Sequence, residues 1–164
     1  MAMYEAKEAG RNCVVFNKQS SSKTGMDNSA TTLHLNWHNS YACGEPAIDD
    51  EHRELFELAN NLIDSAFTRN ERPREFESDL DKLLAHVVQH FADEETILAR
   101  YHYIDLDDHA HDHKVLIEHA QILRDAALAG NVTIGELVSF LAEEVVAQHL
   151  LKTDRKFFPL FNKG

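Results

Sequence analysis

Histidine is the residue type that stands out in this sequence, because its 164 residues contain eleven histidines and only one tryptophan. The stretch from His86 to Glu95 reads HVVQHFADEE. Its helical period places His90 and Glu94 on the apolar face that also carries Leu83. A buried imidazole or carboxylate is strongly penalised unless a partner neutralises it. We therefore expect these two side chains to face a cation or another charged group.

Four helical segments carry such polar residues on an apolar face, along which steps of four and three residues alternate. They are His52 in the first segment, His90 and Glu94 in the second, His109 and His113 in the third, and His149 in the fourth. A single histidine on such a face is more often a hydrogen-bonded core residue. Five histidines and a carboxylate, spread over four segments, favour metal binding instead. Neutral imidazoles bind iron, zinc, copper or nickel, and an enclosed cation neutralises the carboxylate.

Asp154 is a further candidate ligand, five residues after His149. On a regular α-helix this spacing turns the side chain about 140° away from the histidine. A π-bulge, or the unwinding end of the helix, would return Asp154 to the inner face. Periodicity alone predicts a surface aspartate.

The remaining six histidines are interpreted as non-ligands. His86 forms an H-x3-H pair with His90, but it lies off the inner face by about one residue's rotation. His111 falls between two candidate ligands and is expected to point outward. The six are His34, His38, His86, His102, His111 and His119.

Four helices are needed to position the candidate ligands, and the sequence predicts them at about residues 49–67, 73–101, 107–129 and 133–151. Pro73 suits a first helical position, and Gly130-Asn131 is a helix-ending pair. Thr133 and Glu136 have the spacing of a capping box. Short connections between four helices predict an all-α, up-down-up-down four-helix bundle. In that topology, ligands near the starts of the first and third helices lie level with ligands near the ends of the second and fourth.

The region before the bundle is predicted to be a separate unit. Residues 17–32 are polar, without an apolar period, and read as a flexible linker. Residues 2–10 are predicted as a short helix and residues 13–16 as a short strand, with no strand signal beyond Asn17. The predicted organisation is therefore 1–16 as an N-terminal fragment, 17–32 as linker and 33–164 as the bundle domain.

Composition excludes several classes of partner. The formal net charge of −12 argues against nucleic acid or an anionic membrane surface. No apolar run approaches the roughly 18 residues of a membrane span, and the N-terminus lacks a secretory signal, so we expect a cytoplasmic protein. Cys13 and Cys43 lie in different segments and indicate neither a disulfide framework nor a thiolate metal site.

The motifs of residues 37–161 together resemble those of the hemerythrin family, and more closely those of the bacterial hemerythrin domains. Trp37, Tyr41, Gly44 and the run IDDEH are similar to the first motif of that family. The second, third and fourth motifs are matched by HFADEE, HAHDH and HLLKTD, in the family's order.

This resemblance implies a pair of non-haem iron ions with a bridging oxo or hydroxo group. One iron would take His109, His113 and His149, and the other His52 and His90, which leaves a coordination position open for O2. Glu94 and Asp154 would bridge the two ions, so the resemblance reverses the surface interpretation of Asp154. Phe91 and Val146 adjoin the ligands and are candidates to line the oxygen pocket, although plain core positions explain them equally well.

The N-terminal fragment has a different resemblance. MAMYEAKEAGRNCVVF is similar to the last helix and strand of a GGDEF diguanylate cyclase domain, which ends in a YxAKxxGRN pattern. The matching residues are Tyr4, Ala6, Lys7, Gly10, Arg11 and Asn12, whereas Cys13 stands where arginine is common. The cyclase signature itself is absent, so this chain alone is not expected to be an enzyme. A chance tail is the alternative interpretation.

The resulting functional hypothesis is a sensor of O2 or redox state that regulates a diguanylate cyclase domain in cis. The alternatives are a stand-alone carrier or store of oxygen or iron, an NO sensor, a di-iron oxidase or peroxidase, and a store of zinc or nickel. Ferritin-like di-iron sites use Glu-x-x-His pairs, and this sequence contains none, which disfavours an oxidase.

Overall fold

The computed structural model describes residues 14–17 and 32–162. Strands β1 (Val14–Asn17) and β2 (Thr32–Leu35) precede three long helices, α1 (Pro46–Phe67), α2 (Pro73–Arg100) and α3 (Leu106–Leu128). The fourth helix, α4, begins as an α-helix at Ile134–Ser139 and continues as a π-helix at Phe140–Thr153. The helix predicted at residues 2–10 and nearly all of the predicted linker lie outside the described residues.

The helices form an up-down-up-down bundle, as predicted. Helix α1 packs against α2 and α4, α2 packs against α3, and α3 packs against the π-helical part of α4, so the ring of contacts is closed. The apolar faces meet inside this ring and form the core. Among the helices in the described part of the chain, none combines the length and apolar character needed to cross a membrane.

Local sequence signals set the helix boundaries. Pro73 occupies the first turn of α2, where its missing N–H costs no hydrogen bond. Gly130 follows α3 with a φ of +76°, a left-handed conformation that glycine adopts without a Cβ penalty. The predicted capping box is confirmed, because Thr133 accepts from the Glu136 N–H and Glu136 accepts from the Thr133 N–H.

The inner face of α2 departs from the prediction at its end. The alternating four-and-three pattern places Ile97 and Tyr101 inside, but Tyr101 is 48% exposed and Leu98 is fully buried instead. A strict seven-residue repeat drifts by about 20° per heptad relative to a straight α-helix. After three heptads the buried face has therefore moved by most of one residue.

The π-helical part of α4 brings Asp154 to the inner face of the bundle. In a π-helix each N–H bonds to the carbonyl five residues earlier. The backbone N–H of Asp154 accordingly donates to the carbonyl of His149. Because this bond closes one turn between the two residues, both side chains lie on the inner face, and Asp154 is fully buried. The prediction of a surface aspartate from α-helical periodicity alone was wrong for this reason.

A two-stranded sheet precedes the bundle and was only half predicted. Strand β1 confirms the predicted strand over residues 14–16, but the expectation of no strand beyond Asn17 was wrong, because β2 pairs with β1 in antiparallel register. The side chain of Asn60 on α1 holds β2 on its other side. It accepts from the N–H of Leu35 at 2.8 Å and donates to the Leu35 carbonyl at 2.9 Å. The Asn60 amide thus makes the backbone hydrogen bonds that a third strand would make. Secondary-structure propensities could not predict this contact, because it joins residues that are 25 positions apart.

The loop before α1 is held in place by hydrogen bonds to the buried Asp49 side chain. Asp49 is buried and accepts from the N–H groups of Cys43 and Gly44, at 2.7 and 3.0 Å. Gly44 has a φ of +95°, and a Cβ there would lie 2.9 Å from the side-chain oxygen of Asn162. The positive φ therefore favours glycine at this position, whereas the Asn162 side chain could move away from a Cβ.

Loss of the Thr133 cap is expected to destabilise the bundle. Thr133→Ala removes the hydroxyl that accepts from the Glu136 N–H, and we expect the free energy of unfolding to fall by about 1 kcal/mol. Thr133→Ser keeps that acceptor and should change stability far less. Urea unfolding of the metal-free variants, followed by circular dichroism, measures the difference. Equal losses in the alanine and serine variants would contradict the capping role.

Candidate metal centre

The structure brings all seven sequence-predicted metal residues together in two buried groups that share Glu94. One candidate ligand atom from each residue lies within 4.8 Å of the others in its group. The first group is Glu94, His109, His113, His149 and Asp154, and the second is His52, His90 and Glu94. Each residue is at most 6% exposed.

Every helix of the bundle contributes to these groups. Helix α1 provides His52 near its start, and α2 provides His90 and Glu94 one turn apart in its second half. Helix α3 adds two histidines in its first two turns, and α4 adds His149 and Asp154 at its end. Antiparallel packing brings the starts of two helices level with the ends of the other two, so the groups meet at one level of the bundle.

The first group has the spacing of ligands around one cation. Glu94 Oε1 lies 2.6 Å from His109 Nε2 and 3.2 Å from His113 Nε2. His149 Nε2 lies 3.1 Å from His113 Nε2 and 3.1 Å from Asp154 Oδ1. Two ligand atoms about 2.1 Å from a metal and at right angles to each other are about 3 Å apart. The four measured distances are close to that value.

The second group is smaller and uses the other oxygens of the same carboxylates. Glu94 Oε2 lies 3.9 Å from His52 Nε2 and 3.7 Å from His90 Nε2. Asp154 Oδ2 lies 3.4 Å from His52 Nε2, while its Oδ1 faces the first group. Each carboxylate therefore has one oxygen near each group, which is the arrangement of a bridging ligand. With two histidines instead of three, the second group leaves more coordination positions free.

A metal pair fits the buried polar atoms that lack a hydrogen-bond partner within the described structure. Apart from Nε1 of Trp37, all of them belong to the two ligand groups: Nδ1 and Nε2 of His52, Nε2 of His90, Oε2 of Glu94 and both carboxylate oxygens of Asp154. Buried polar atoms are nearly always hydrogen-bonded, so a convergent cluster of unsatisfied lone-pair donors needs another partner. Imidazole nitrogens and carboxylate oxygens suit iron, zinc, copper and nickel, and cations would satisfy them together.

The protonation states of Glu94 and His149 in the free site also suit metal binding. Burial alone would raise the pKa of Glu94, but hydrogen bonds from His109 and His113 outweigh it and hold the pKa well below its usual value. Burial lowers the pKa of His149 to about 4, although the Asp154 carboxylate opposes this effect. At neutral pH Glu94 is therefore ionised and His149 is neutral, which are the forms that bind metal ions. For His52, the nearby Asp154 carboxylate outweighs burial and raises the pKa.

Two glutamates that the sequence reasoning missed orient the histidines. Glu51 Oε2 accepts from His90 Nδ1 at 2.8 Å, and Glu95 Oε1 accepts from His113 Nδ1 at 2.8 Å. Because Nδ1 is bonded outward to the glutamate, the Nε2 atom of each ring faces the cluster, where its lone pair would bind a metal ion once any proton is displaced. Glu51 lies beside His52 in sequence but acts on His90 across the helix interface, so no spacing rule finds it.

The six histidines interpreted as non-ligands lie outside both groups in the described structure. His86 Nε2 donates to the backbone carbonyl of Glu51 at 2.9 Å, and His111 is exposed. His34 and His119 pair with surface carboxylates, His38 bonds to Ser40, and His102 is exposed with a φ of +54°.

The two candidate pocket residues take different positions. Phe91 stacks on His113, with ring centroids 3.8 Å apart and planes 3° from parallel, so it packs directly against the cluster. Val146 is fully buried and lines an apolar cavity inside the bundle. Among the described residues, Phe91 does not line that cavity.

Removal of either orienting glutamate is expected to weaken metal binding. Glu51→Ala and Glu95→Ala free an imidazole ring to turn and make it a poorer electron donor, and comparable changes cost about 10- to 100-fold in affinity. The glutamine variants keep an acceptor oxygen and should lose less. Competition with a chromophoric chelator measures the affinity, with Glu57→Ala, exposed on α1, as the control. Unchanged metal affinity in both alanine variants would show that Glu51 and Glu95 do not orient the metal-binding histidines.

Comparison with known proteins gives one consistent result. The family model described as "Hemerythrin HHE cation binding domain" matches residues 43–161. A bacteriohemerythrin of Methylococcus capsulatus is 30% identical over 111 residues, which cover 68% of this chain and 83% of that protein. A hemerythrin-like protein of Naegleria gruberi is 27% identical over 130 residues, covering 78% and 96%. The crystal structure of a wild-type hemerythrin superposes with a TM-score of 0.68 at 27% identity, covering 77% of this chain and 97% of that one. The chain belongs to the hemerythrin family.

Proposed function

We propose that the two buried groups hold a pair of non-haem iron ions, joined by a bridging oxo or hydroxo group, and that O2 binds there. We further propose that the domain senses O2 or redox state for a diguanylate cyclase domain in the same polypeptide, in the cytoplasm. In this proposal the chain itself binds ligand and has no enzymatic activity. The observation that carries the iron assignment is the pair of ligand groups that share two buried carboxylates.

Each residue has a defined role in this proposal. His109, His113 and His149 would hold one ion, His52 and His90 would hold the other, and the carboxylates of Glu94 and Asp154 would be shared between them. When bound, the iron pair supplies reversible O2 binding and exchange of electrons. The protein aims the rings of His90 and His113 through Glu51 and Glu95, keeps His149 neutral by burial, and shields the site from solvent.

The second group has fewer histidines than the first, which supports binding of O2 at the ion that the second group would hold. Three histidines and two carboxylate oxygens nearly fill the coordination of the first ion, whereas the second has two histidines beside the same carboxylates. An open position in buried surroundings would suit a small neutral ligand. NO would take the same position, so an NO sensor is the runner-up on this geometry.

A route from the second ion to the N-terminal strands supports a sensing role. Trp37 lies between them: its ring centroid is 6.3 Å from that of His52, and it packs edge-on against Phe56. The Arg53 guanidinium covers the ring at 5.3 Å. Two residues before Trp37, the Asn60 amide holds the backbone of Leu35, and β2 in turn pairs with β1.

The cyclase connection itself depends on the sequence resemblance of residues 1–16. Of these, only residues 14–16 are described, and they form most of β1. If residues 1–16 end a cyclase domain, β1 joins that domain to β2 and, through the Asn60 amide, to α1. Such a connection becomes regulation only if the two iron states differ in free energy at β2.

Iron content tests the metal assignment. The purified protein is expected to contain about two iron ions per chain, because the site offers two ligand groups. Replacement by alanine of any of the seven ligands should lower the iron content measured by plasma emission spectrometry. His86→Ala and His111→Ala are matched histidine controls and should keep it. Full iron in His109→Ala would refute the assignment.

The second test concerns output. The longer parent protein is expected to make cyclic di-GMP at different rates with reduced and oxidised iron, because a change of charge beside buried carboxylates is strongly felt in a weakly polar interior. Asn60→Ala removes both hydrogen bonds to Leu35, so it should abolish this difference while the iron content stays unchanged. Asn61→Ala, exposed at the next position, should preserve the difference.

His109→Ala provides the metal-defective control for the output test, with one rate under both conditions. Identical rates in the two iron states of the unmodified parent would instead make the domain a carrier or store of oxygen or iron. A rate difference that persists in Asn60→Ala would move the connection away from β2.

A further inference from the structure

An apolar cavity of about 40 Å³ lies inside the bundle, away from the ligand-bearing end. All four helices and β2 contribute to its wall, and the residues that line it are Leu, Val, Ala and Phe with a single exception among those described, Arg124. A space of roughly 10–15 Å³ already accepts one water molecule, yet apolar cavities of this kind stay dry and take up apolar guests such as xenon. The volume and lining therefore suit a small apolar molecule.

The cavity begins one helical turn from the metal centre. Four of its lining residues each lie three positions from a histidine of the two ligand groups. The pairs are Leu55 with His52, Val87 with His90, Leu116 with His113, and Val146 with His149. These four lining residues therefore separate a guest in the cavity from the ligand groups.

Arg124 stands out because a charged side chain forms part of an otherwise apolar wall. The side chain of Arg124 lines the cavity, and its guanidinium reaches the surface. The side chain as a whole is 27% exposed. There Nε and Nη2 both donate to Asp81 Oδ1, at 2.7 and 2.6 Å, and Nη1 donates to Asp125 at 3.1 Å. The ion pair with Asp81 links α3 to α2 across the outer side of the cavity.

We propose that this cavity is a holding site for a small apolar ligand, of the diatomic class that includes O2 and NO, and that the Arg124–Asp81 ion pair closes its route to solvent. The identity of the physiological ligand depends on the proposed function, whereas the cavity and its closure do not. An apolar molecule gains by leaving water for the cavity. An exposed ion pair opens readily and is weakened by salt, so it admits a small ligand without unfolding.

Xenon tests the holding site without requiring iron or O2. The intact protein is expected to show saturable xenon binding by 129Xe NMR, and a crystal under xenon pressure should show the atom between Val146 and Leu62. Ala120→Leu fills part of the cavity and should weaken xenon binding several-fold, and Ala59→Val is a second, smaller filling change. Xenon bound elsewhere, or equal binding by all three proteins, would overturn the site.

Xenon exchange also tests the closure. Arg124→Ala and Asp81→Ala should each raise the rate of xenon exchange several-fold, and added salt should raise it in the unmodified protein but not in Arg124→Ala. Lys82→Ala is the matched control, because Lys82 pairs with Asp79 on the same helix and does not line the cavity. An exchange rate that is equal in all four proteins would refute the ion pair as the closure.

If xenon behaves as expected but the protein binds neither iron nor O2, the proposed function fails and the cavity assignment stands. If iron and O2 bind but xenon does not, the cavity assignment fails alone. In the iron-loaded protein, Arg124→Ala should raise the O2 association rate by the same factor as the xenon exchange rate, and an unchanged association rate would overturn the cavity as the route to the metal centre.

Discussion

Two buried carboxylates impose the constraint on which this structure depends. Glu94 and Asp154 are fully buried side by side among imidazoles. Two negative charges in a weakly polar interior repel each other and lose their hydration, and nearby cations are the most direct remedy. Histidines from all four helices converge on this point, so the positions of the helices along one another are set by the ligand groups as well as by apolar packing.

The fourth helix departs from regular α-helical geometry, and this departure allows its ligand residues to reach the centre. A regular α-helix cannot present both His149 and Asp154 to the centre, because five residues are about 1.4 turns. The π-helical hydrogen bonding of residues 140–153 places the two residues one turn apart. π-Helical segments are rare, and many of them lie at functional sites. The departure from regular structure is therefore found where the ligand geometry requires it.

The bundle also divides its interior into two regions. Near the starts of α1 and α3, the interior is polar and fixed by paired groups such as His90 with Glu51 and His113 with Glu95. Beyond one turn the interior becomes apolar and contains a cavity. The outer surface of α1 has a third role, since Asn60 binds the backbone of β2 there. The proposed metal centre, the proposed holding site and the contact with the preceding strands thus use different parts of the same helices.

The bundle and most of the candidate site follow from local patterns in the amino-acid sequence. Apolar faces with a period near 3.6 residues, together with Pro73, Gly130 and the Thr133 cap, are local signals, so the helices and their ends could be read directly. The histidines and Glu94 could be found because each interrupts such a face. The family's motifs, rather than periodicity, added Asp154.

Contacts between residues that are distant in sequence became visible only once the helices were packed together. Glu51 reaches His90 across a helix interface, and Asn60 holds Leu35 from another element, so neither contact leaves a periodic trace. The inward turn of Asp154 depends on the pitch of α4, and the exposure of Tyr101 depends on the drift of the α2 face over three heptads. Local sequence specifies which residues share a face of one helix, but packing decides which atoms meet between helices.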